Sequence, residues 1–238
     1  MLGFGQEIGK EGPCCEEVMD ELRAIVFCAS ELKKFPDEIF ILIEETSLKI
    51  ARDIQLAGRV REETLAEVKT AARNKREQMG IGDAMVQFAH TRQIGMLEGF
   101  WWMRRYLGQF GEARRRIMDF GADQLIGLAM SGSPIAAYLQ LEIQREENKT
   151  IPLAHLVFGR EGKIPHRGIV GSDFALGRTV CLVEDVVNEH VTLTKTLEEL
   201  RRHGEISRTM LFALEIEHSP DLDAVLSNFK EVCVFEEW

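Results

Sequence analysis

From about residue 111 to residue 235 the chain alternates short apolar runs with amphipathic stretches, and this alternation constrains the fold more than any other feature. Residues 125–129, 153–158, 180–183, 210–216 and 232–235 read as strands, and residues 111–120, 134–144, 192–203 and 222–229 read as helices. In the third of these helices Leu193, Leu197 and Leu200 share one face, and Gly204 marks the stop. Strands that alternate with helices imply an α/β fold, a mainly parallel sheet flanked by helices. Such sheets bind ligands beyond the carboxyl ends of their strands. The residues just after the apolar runs are therefore the ones to read for function.

The first hundred residues have a different character. Val18, Leu22, Ile25, Val26, Ala29 and Leu32 recur at helical spacing. Pro36 suits a helix's first turn, and Ile39, Phe40, Ile43, Ser47, Ile50, Ala51 and Ile54 form the next stripe, with Gly58 as its stop. A third helix is predicted over 62–78, where Arg73, Lys75, Arg76 and Glu77 mark a solvated face, ending near Gly80 and Gly82. A fourth starts at Asp83 and carries Met85, Val86, Phe88 and Ala89. There is no internal repeat, low-complexity tract or long Pro/Ser linker, so the helical part is expected to pack on the α/β half. The expected division is a helical region over 1–98 and an α/β domain over 99–238.

The 238 residues are 45% hydrophobic, as in a globular protein, with a formal charge of -10. That balance speaks against general nucleic-acid binding but leaves room for a local basic pocket. No apolar run is long enough to span a membrane, and Met1 to Lys10 lacks a secretory signal, so a cytoplasmic location is expected. Of the five cysteines (Cys14, Cys15, Cys28, Cys181 and Cys233), none forms a C-x-x-C pair or a zinc spacing with histidine, which fits reduced thiols. Cys181 sits inside an apolar strand pattern and reads as core.

Three segments carry candidate chemistry. After the run 180–183 come Glu184 and Asp185, then Asn188, Glu189, His190, Val191 and Thr192 at the start of a helix. Two carboxylates at a strand's carboxyl end can hold sugar hydroxyls or a magnesium complex, and a helix N-terminus offers free N–H groups to a phosphate. After the first strand come Met130, Ser131, Gly132 and Ser133, and small residues there let backbone amides approach an anion. Lys163 and His166, in the basic stretch 160–168, can supply positive charge to a leaving group. Each segment also has a plainer reading: solvated acids, an ordinary turn before Pro134, and a charged surface hairpin.

Taken in order across about 140 residues, these segments resemble the type I phosphoribosyltransferases, with the orotate phosphoribosyltransferases nearest in pattern. Glu184 and Asp185 match the acids of that family's phosphoribosyl pyrophosphate motif, and Thr192 matches its final hydroxyl. Residues 130–133 match the pyrophosphate loop, although Met130 stands where the family often has a base. Lys163 and His166 match the catalytic loop, at altered spacing. The resemblance implies transfer of a phosphoribosyl group from phosphoribosyl pyrophosphate to a nucleobase. It also implies Mg2+, with Asp185 as an indirect contact, and a homodimer. The implied partner is phosphoribosyl pyrophosphate or another phosphorylated small molecule, with neither nucleic acid nor membrane. Residues 103–107 resemble the lead-in to the family's sheet. No substrate-covering hood aligns, and Trp101 and Trp102 read as core or interface as readily as a base platform.

The departures bear on activity. Asn188-Glu189-His190-Val191 replaces a run that the family writes as Thr-Thr-Gly-Gly or close to it. Two glycines are gone, and with them backbone freedom. Glu189 brings a negative charge; at about 5 Å and an effective dielectric near 20 a like charge costs roughly 3 kcal/mol. Protonated His190 offsets part of that. Three functions therefore stay open: a transferase with an unusual loop, a ligand-binding or regulatory homologue that has lost the reaction, and an interaction protein working through its helical half.

Overall fold

The structure is a computed structural model describing residues 21–22, 24–25, 37–84, 86–87, 105–129, 131–158, 165–168, 178–187, 190–203 and 206–237. The expectations for Met85 and for residues 14–20, 26–36 and 88–104 lie outside these residues.

The helix α1 (Asp37–Ala57) buries Ile39, Phe40, Ile43, Ile50 and Ile54 along one stripe. It stops at Gly58, where φ is 68°. The chain then turns into α2 (Glu62–Gln78). Buried Asp53 fixes that corner, accepting hydrogen bonds from Arg61 N at 2.9 Å and Arg61 Nε at 2.7 Å. Arg76 is also buried, and its guanidinium is satisfied by Glu21, the Ile81 carbonyl and Asp83. A buried charge persists only with such partners.

The remaining elements are α3 (Phe110–Phe120), β1 (Gln124–Ala129), α4 (Gly132–Glu147), β2 (Leu153–Phe158), β3 (Pro165–Gly168), β4 (Thr179–Val187), α5 (His190–His203), β5 (Arg208–Ile216), α6 (Pro220–Leu226) and β6 (Glu231–Glu237). They form one sheet of order β3-β2-β1-β4-β5-β6, in which all pairs are parallel except β2 with β3. One face packs Leu125, Leu153, Cys181, Val183, Met210 and Phe212 against α1, α3 and α4. The other packs Ile126, Ala154, Leu182 and Leu211 against Leu193, Leu197 and Leu200 of α5 and Leu222 of α6. Burial on both faces is why these strands read as continuous apolar runs rather than alternating ones. The mainly parallel α/β sheet flanked by helices, preceded by a helical region, is thus the observed architecture. The helical region shares its core: Ile50, Ala51 and Ile54 of α1 join the α3–α4 cluster, and Gln55 bonds Glu142 of α4 at 3.0 Å.

Several boundaries differ from the sequence reading. β4 runs to Val187 rather than stopping at Val183, because β5 keeps pairing with it through Glu184↔Ala213, Val186↔Glu215 and Val187↔Ile216. β3 was not expected: Pro165-His166-Arg167-Gly168 has no apolar alternation and opens on a proline, which only an edge strand tolerates. α4 starts at Gly132, before Pro134, and α5 starts at His190 rather than Thr192. Among the described residues no helix is long and apolar enough to cross a membrane.

Candidate ligand crevice at the strand ends

From β1 the chain crosses through α4 to β2, and from β4 it crosses through α5 to β5, which lies on the opposite side. Connections that diverge from adjacent parallel strands leave a crevice between their carboxyl ends. β1 accompanies β4 only as far as Gly127↔Val183. Beyond that point β4 continues with β5 as its neighbour, and Glu184 and Asp185 occupy the stretch that β1 no longer flanks.

The turn after β1 sits down on this stretch, and two glycines permit it. A Cβ on Gly132 would overlap the Val183 carbonyl oxygen and lie 3.1 Å from the Glu184 Cα. A Cβ on Gly127 would stand 2.8 Å from the Ser133 Cα. Ser131 holds the N-cap position of α4, yet its side chain makes no capping bond. Its hydroxyl instead donates to Glu184 Oε1 at 3.1 Å. The same oxygen accepts Asp185 N at 2.9 Å. Burial, reinforced by the neighbouring Asp185, holds the Glu184 carboxyl well above the usual carboxylate range. Asp185 is buried, at 6% exposure.

Behind the crevice lies a pair that sequence reasoning missed. His155 on β2 is wholly buried, and its Nδ1 shares a hydrogen bond of 2.9 Å with Ser133 Oγ. Its register neighbours are Gly127 on one side and Gly168 on the other. Burial pushes the imidazole pKa down to about 3, so the ring is neutral. Its Nε2 has no hydrogen-bond partner among the described residues. The signal was a lone histidine inside the run Leu-Ala-His-Leu-Val-Phe, a polar residue where both faces are buried.

The other expected site residues are more scattered. His190, Val191 and Thr192 form the first turn of α5, so Val191 is helical and 38% exposed rather than part of a loop. Thr194 and Thr196 hydroxyls donate back to the His190 and Thr192 carbonyls, both at 2.9 Å. Thr192 is half-buried and keeps its hydroxyl without a bond among the described residues. The Ser133 hydroxyl does not face the crevice, being taken up by His155. His166 lies on β3, opposite Val157. Phe158 and Pro165 are register partners at the carboxyl end of β2, the end of the sheet at which the crevice lies. Met130, Lys163, Asn188 and Glu189 themselves lie outside the described residues.

No known family model matches the chain. Over 85 residues it is 34% identical to the transcriptional regulator GfcR of Methanococcoides burtonii, a match covering 35% of this chain and 40% of that protein. The chain thus spans well under half the length of that curated relative. Among solved structures, it is 20% identical to a purine phosphoribosyltransferase from Pyrococcus horikoshii, over 58% of this chain and 84% of that one, with a TM-score of 0.40. It is 22% identical to an orotate phosphoribosyltransferase from Aeropyrum pernix, over 57% and 76%, with a TM-score of 0.42.

Chemically, the crevice offers one carboxyl with raised proton affinity beside a buried second acid, a serine hydroxyl and the first turns of two helices. Adjacent acids of this kind accept hydrogen bonds from a vicinal diol, and helix N-termini favour anions. Among the described residues no group of three or more acids, histidines and cysteines stands together to hold a metal ion.

Proposed function

We propose that the α/β half is a phosphoribosyltransferase-type binding module working as a ligand-responsive regulator rather than as a transferase. In this reading the β1/β4 crevice takes the sugar of a phosphorylated small molecule, with Glu184 and Asp185 receiving its hydroxyls and the first turn of α5 facing its phosphate. The observation that carries it is the Ser131–Glu184 contact, which brings the two sequence segments together where a parallel sheet places its ligands. Three features favour regulation over transfer. Glu189 adds negative charge to the segment that would meet the phosphate. His190 and Val191 are helical where the transferases have glycines. The relative from Methanococcoides burtonii is named a transcriptional regulator.

Magnesium would enter with the ligand. Mg2+ is typically held by one or two carboxylates together with substrate phosphates, and two adjacent acids suit that arrangement better than a resident ion.

The test pairs two measurements on the full chain. Thermal shift with phosphoribosyl pyrophosphate and magnesium reads binding, since a ligand of the folded state raises the melting temperature. Pyrophosphate release across a panel of bases reads transfer. The expected result is a weak saturable shift, abolished by Asp185→Asn, with no release above background. Release above background would make the protein a transferase. No shift with phosphoribosyl pyrophosphate or ribose 5-phosphate would remove the crevice reading and leave the helical half as the functional part.

A further inference from the structure

At the other end of the sheet, a cavity of about 190 Å³ opens between the end of α5 and the start of β5. Leu197, Leu200 and Ile206 give it an apolar wall, and Arg201, Thr209 and Lys230 give it a polar rim. α5 spans the distance between the two sites, with His190 in its first turn and Arg201 in its last.

The charges at this corner are unevenly paired. Arg202 bonds Glu199 at 3.1 Å, and Arg116 bonds Glu231 at 3.0 Å. Arg201 and Lys230, which line the cavity beside them, have no carboxylate partner among the described residues. Among the described residues Arg201 makes a long contact of 3.5 Å to the Asn228 amide oxygen. The Arg208 guanidinium lies over the Phe120 ring at 4.3 Å, on the face of the sheet opposite α5, and so turns away from the cavity. Among the described residues, Arg201 and Lys230 thus stand at the cavity rim without a carboxylate, in a chain of net charge -10. Arg201 also answers the negative end of the α5 dipole, but a helix C-terminus asks nothing of Lys230, which stands just before β6.

We propose that this cavity is a second ligand site, for a small oxyanion-bearing molecule whose apolar part rests on Leu197, Leu200 and Ile206. Arg201 and Lys230 neutralise the anion: the guanidinium offers a fork of donors and the ammonium a point charge. The Thr209 side chain lies on the α5 face of β5 and supplies a hydroxyl. The site is independent of the β1/β4 crevice, being at the start of the strands rather than at their ends.

The test uses inorganic phosphate as the probe and tracks backbone amide resonances of the full chain at constant ionic strength, with chloride as control. The expected result is a saturable shift of the Thr209, Lys230 and Arg201 amides with phosphate that chloride does not reproduce. The double variant Arg201→Gln, Lys230→Gln should weaken it at least tenfold. Any phosphate response at the Val191 and Thr192 amides should be unchanged in that variant, which separates this site from the crevice. Both side chains are at the surface, so an unchanged melting temperature verifies that the variant is folded. The proposal is overturned if the Thr209 and Lys230 amides do not respond, if chloride gives the same response, or if the double variant binds as the wild type does.

Discussion

The Ser131 hydroxyl stands 3.1 Å from Glu184 Oε1, joining the turn after β1 to β4 where the two strands part company. This bond gives Glu184 a fixed orientation, and burial beside Asp185 gives it a raised proton affinity. A carboxyl with a folded-state pKa above its unfolded value binds more protons in the folded state. Its contribution to stability is fully present below about pH 4.5, the ordinary value, and is lost as pH rises through the folded pKa.

Glu184→Gln keeps the shape and removes the titration. The melting temperature of the variant should rise relative to wild type as pH increases from about 4.5 toward neutrality. Calorimetric scans across that range measure it. Parallel curves for the two proteins would show that Glu184 titrates normally and that the crevice is wetter than the contacts imply.

The turn itself is most sensitive at Gly132. A methyl group there has backbone, not a mobile side chain, in its way: the Val183 carbonyl and the Glu184 Cα. Gly132→Ala should therefore lose about 3 kcal/mol or more, as overpacking against backbone does. Gly111→Ala is the control, because nothing lies within 4 Å of its added Cβ and it sits inside α3. That change should be neutral or stabilising by up to about 1 kcal/mol. Urea unfolding of both variants decides the point; equal midpoints would mean that α4 can slide without cost.

The contrast between these glycines also shows what the sequence could and could not disclose. The sheet was legible because Leu125, Leu153, Cys181 and Phe212 sit in runs that are apolar on both faces. The acids at 184 and 185 were legible as a break in such a run. Their enclosure was not, since nothing local to Val183 says that β5 will outlast β1 as its neighbour. The Gly132 requirement arises only when a turn from one strand lands on the backbone of another. His155 was passed over because its partner, Ser133, lies on a different element, and because a histidine in a strand has no local mark of being buried. β3 was missed for the opposite reason: its pairing rests on backbone bonds to β2, which its side chains do not advertise.

His155 is neutral in the folded protein, with its pKa down at about 3 against an ordinary value of 6.5. The unfolded chain binds the proton first, so stability falls as the pH drops from about 6.5 toward 3, at roughly 1.4 kcal/mol per unit for this one group. His155→Asn keeps a polar partner for Ser133 and does not titrate, so its acid limb should be shallower than that of the wild type. His155→Leu leaves the Ser133 hydroxyl buried and unbonded, which costs about 1–3 kcal/mol at neutral pH. Denaturant midpoints at pH 5 and pH 7 for the three proteins distinguish the two effects. Identical acid limbs in wild type and His155→Asn would mean that the ring reaches solvent or another charge.

The last prediction concerns the segment between β4 and α5. A phosphate held there needs converging N–H groups, small residues and no negative charge. Glu189 violates the last condition, and His190 and Val191 stand where glycines would let the backbone lie against the ligand. Wild-type protein should therefore bind phosphoribosyl pyrophosphate only weakly. The variant Glu189→Thr, His190→Gly, Val191→Gly removes the repulsion and frees the backbone. At about 5 Å and an effective dielectric near 20 the charge alone is worth roughly 3 kcal/mol. That is on the order of a hundredfold in affinity. The two glycines act against stability, since each costs up to about 1 kcal/mol in a helix and both fall in the first turn of α5. A melting curve must therefore establish that the variant is folded before titration calorimetry is done with magnesium present. Glu189→Thr alone, which leaves the helix intact, should recover most of the gain. Tight binding by the wild type would show that the chain holds phosphate by another route, and the transferase reading would then displace the regulatory one. A folded variant with no gain would place the loss after β1 instead, where Met130 offers a phosphate no positive charge.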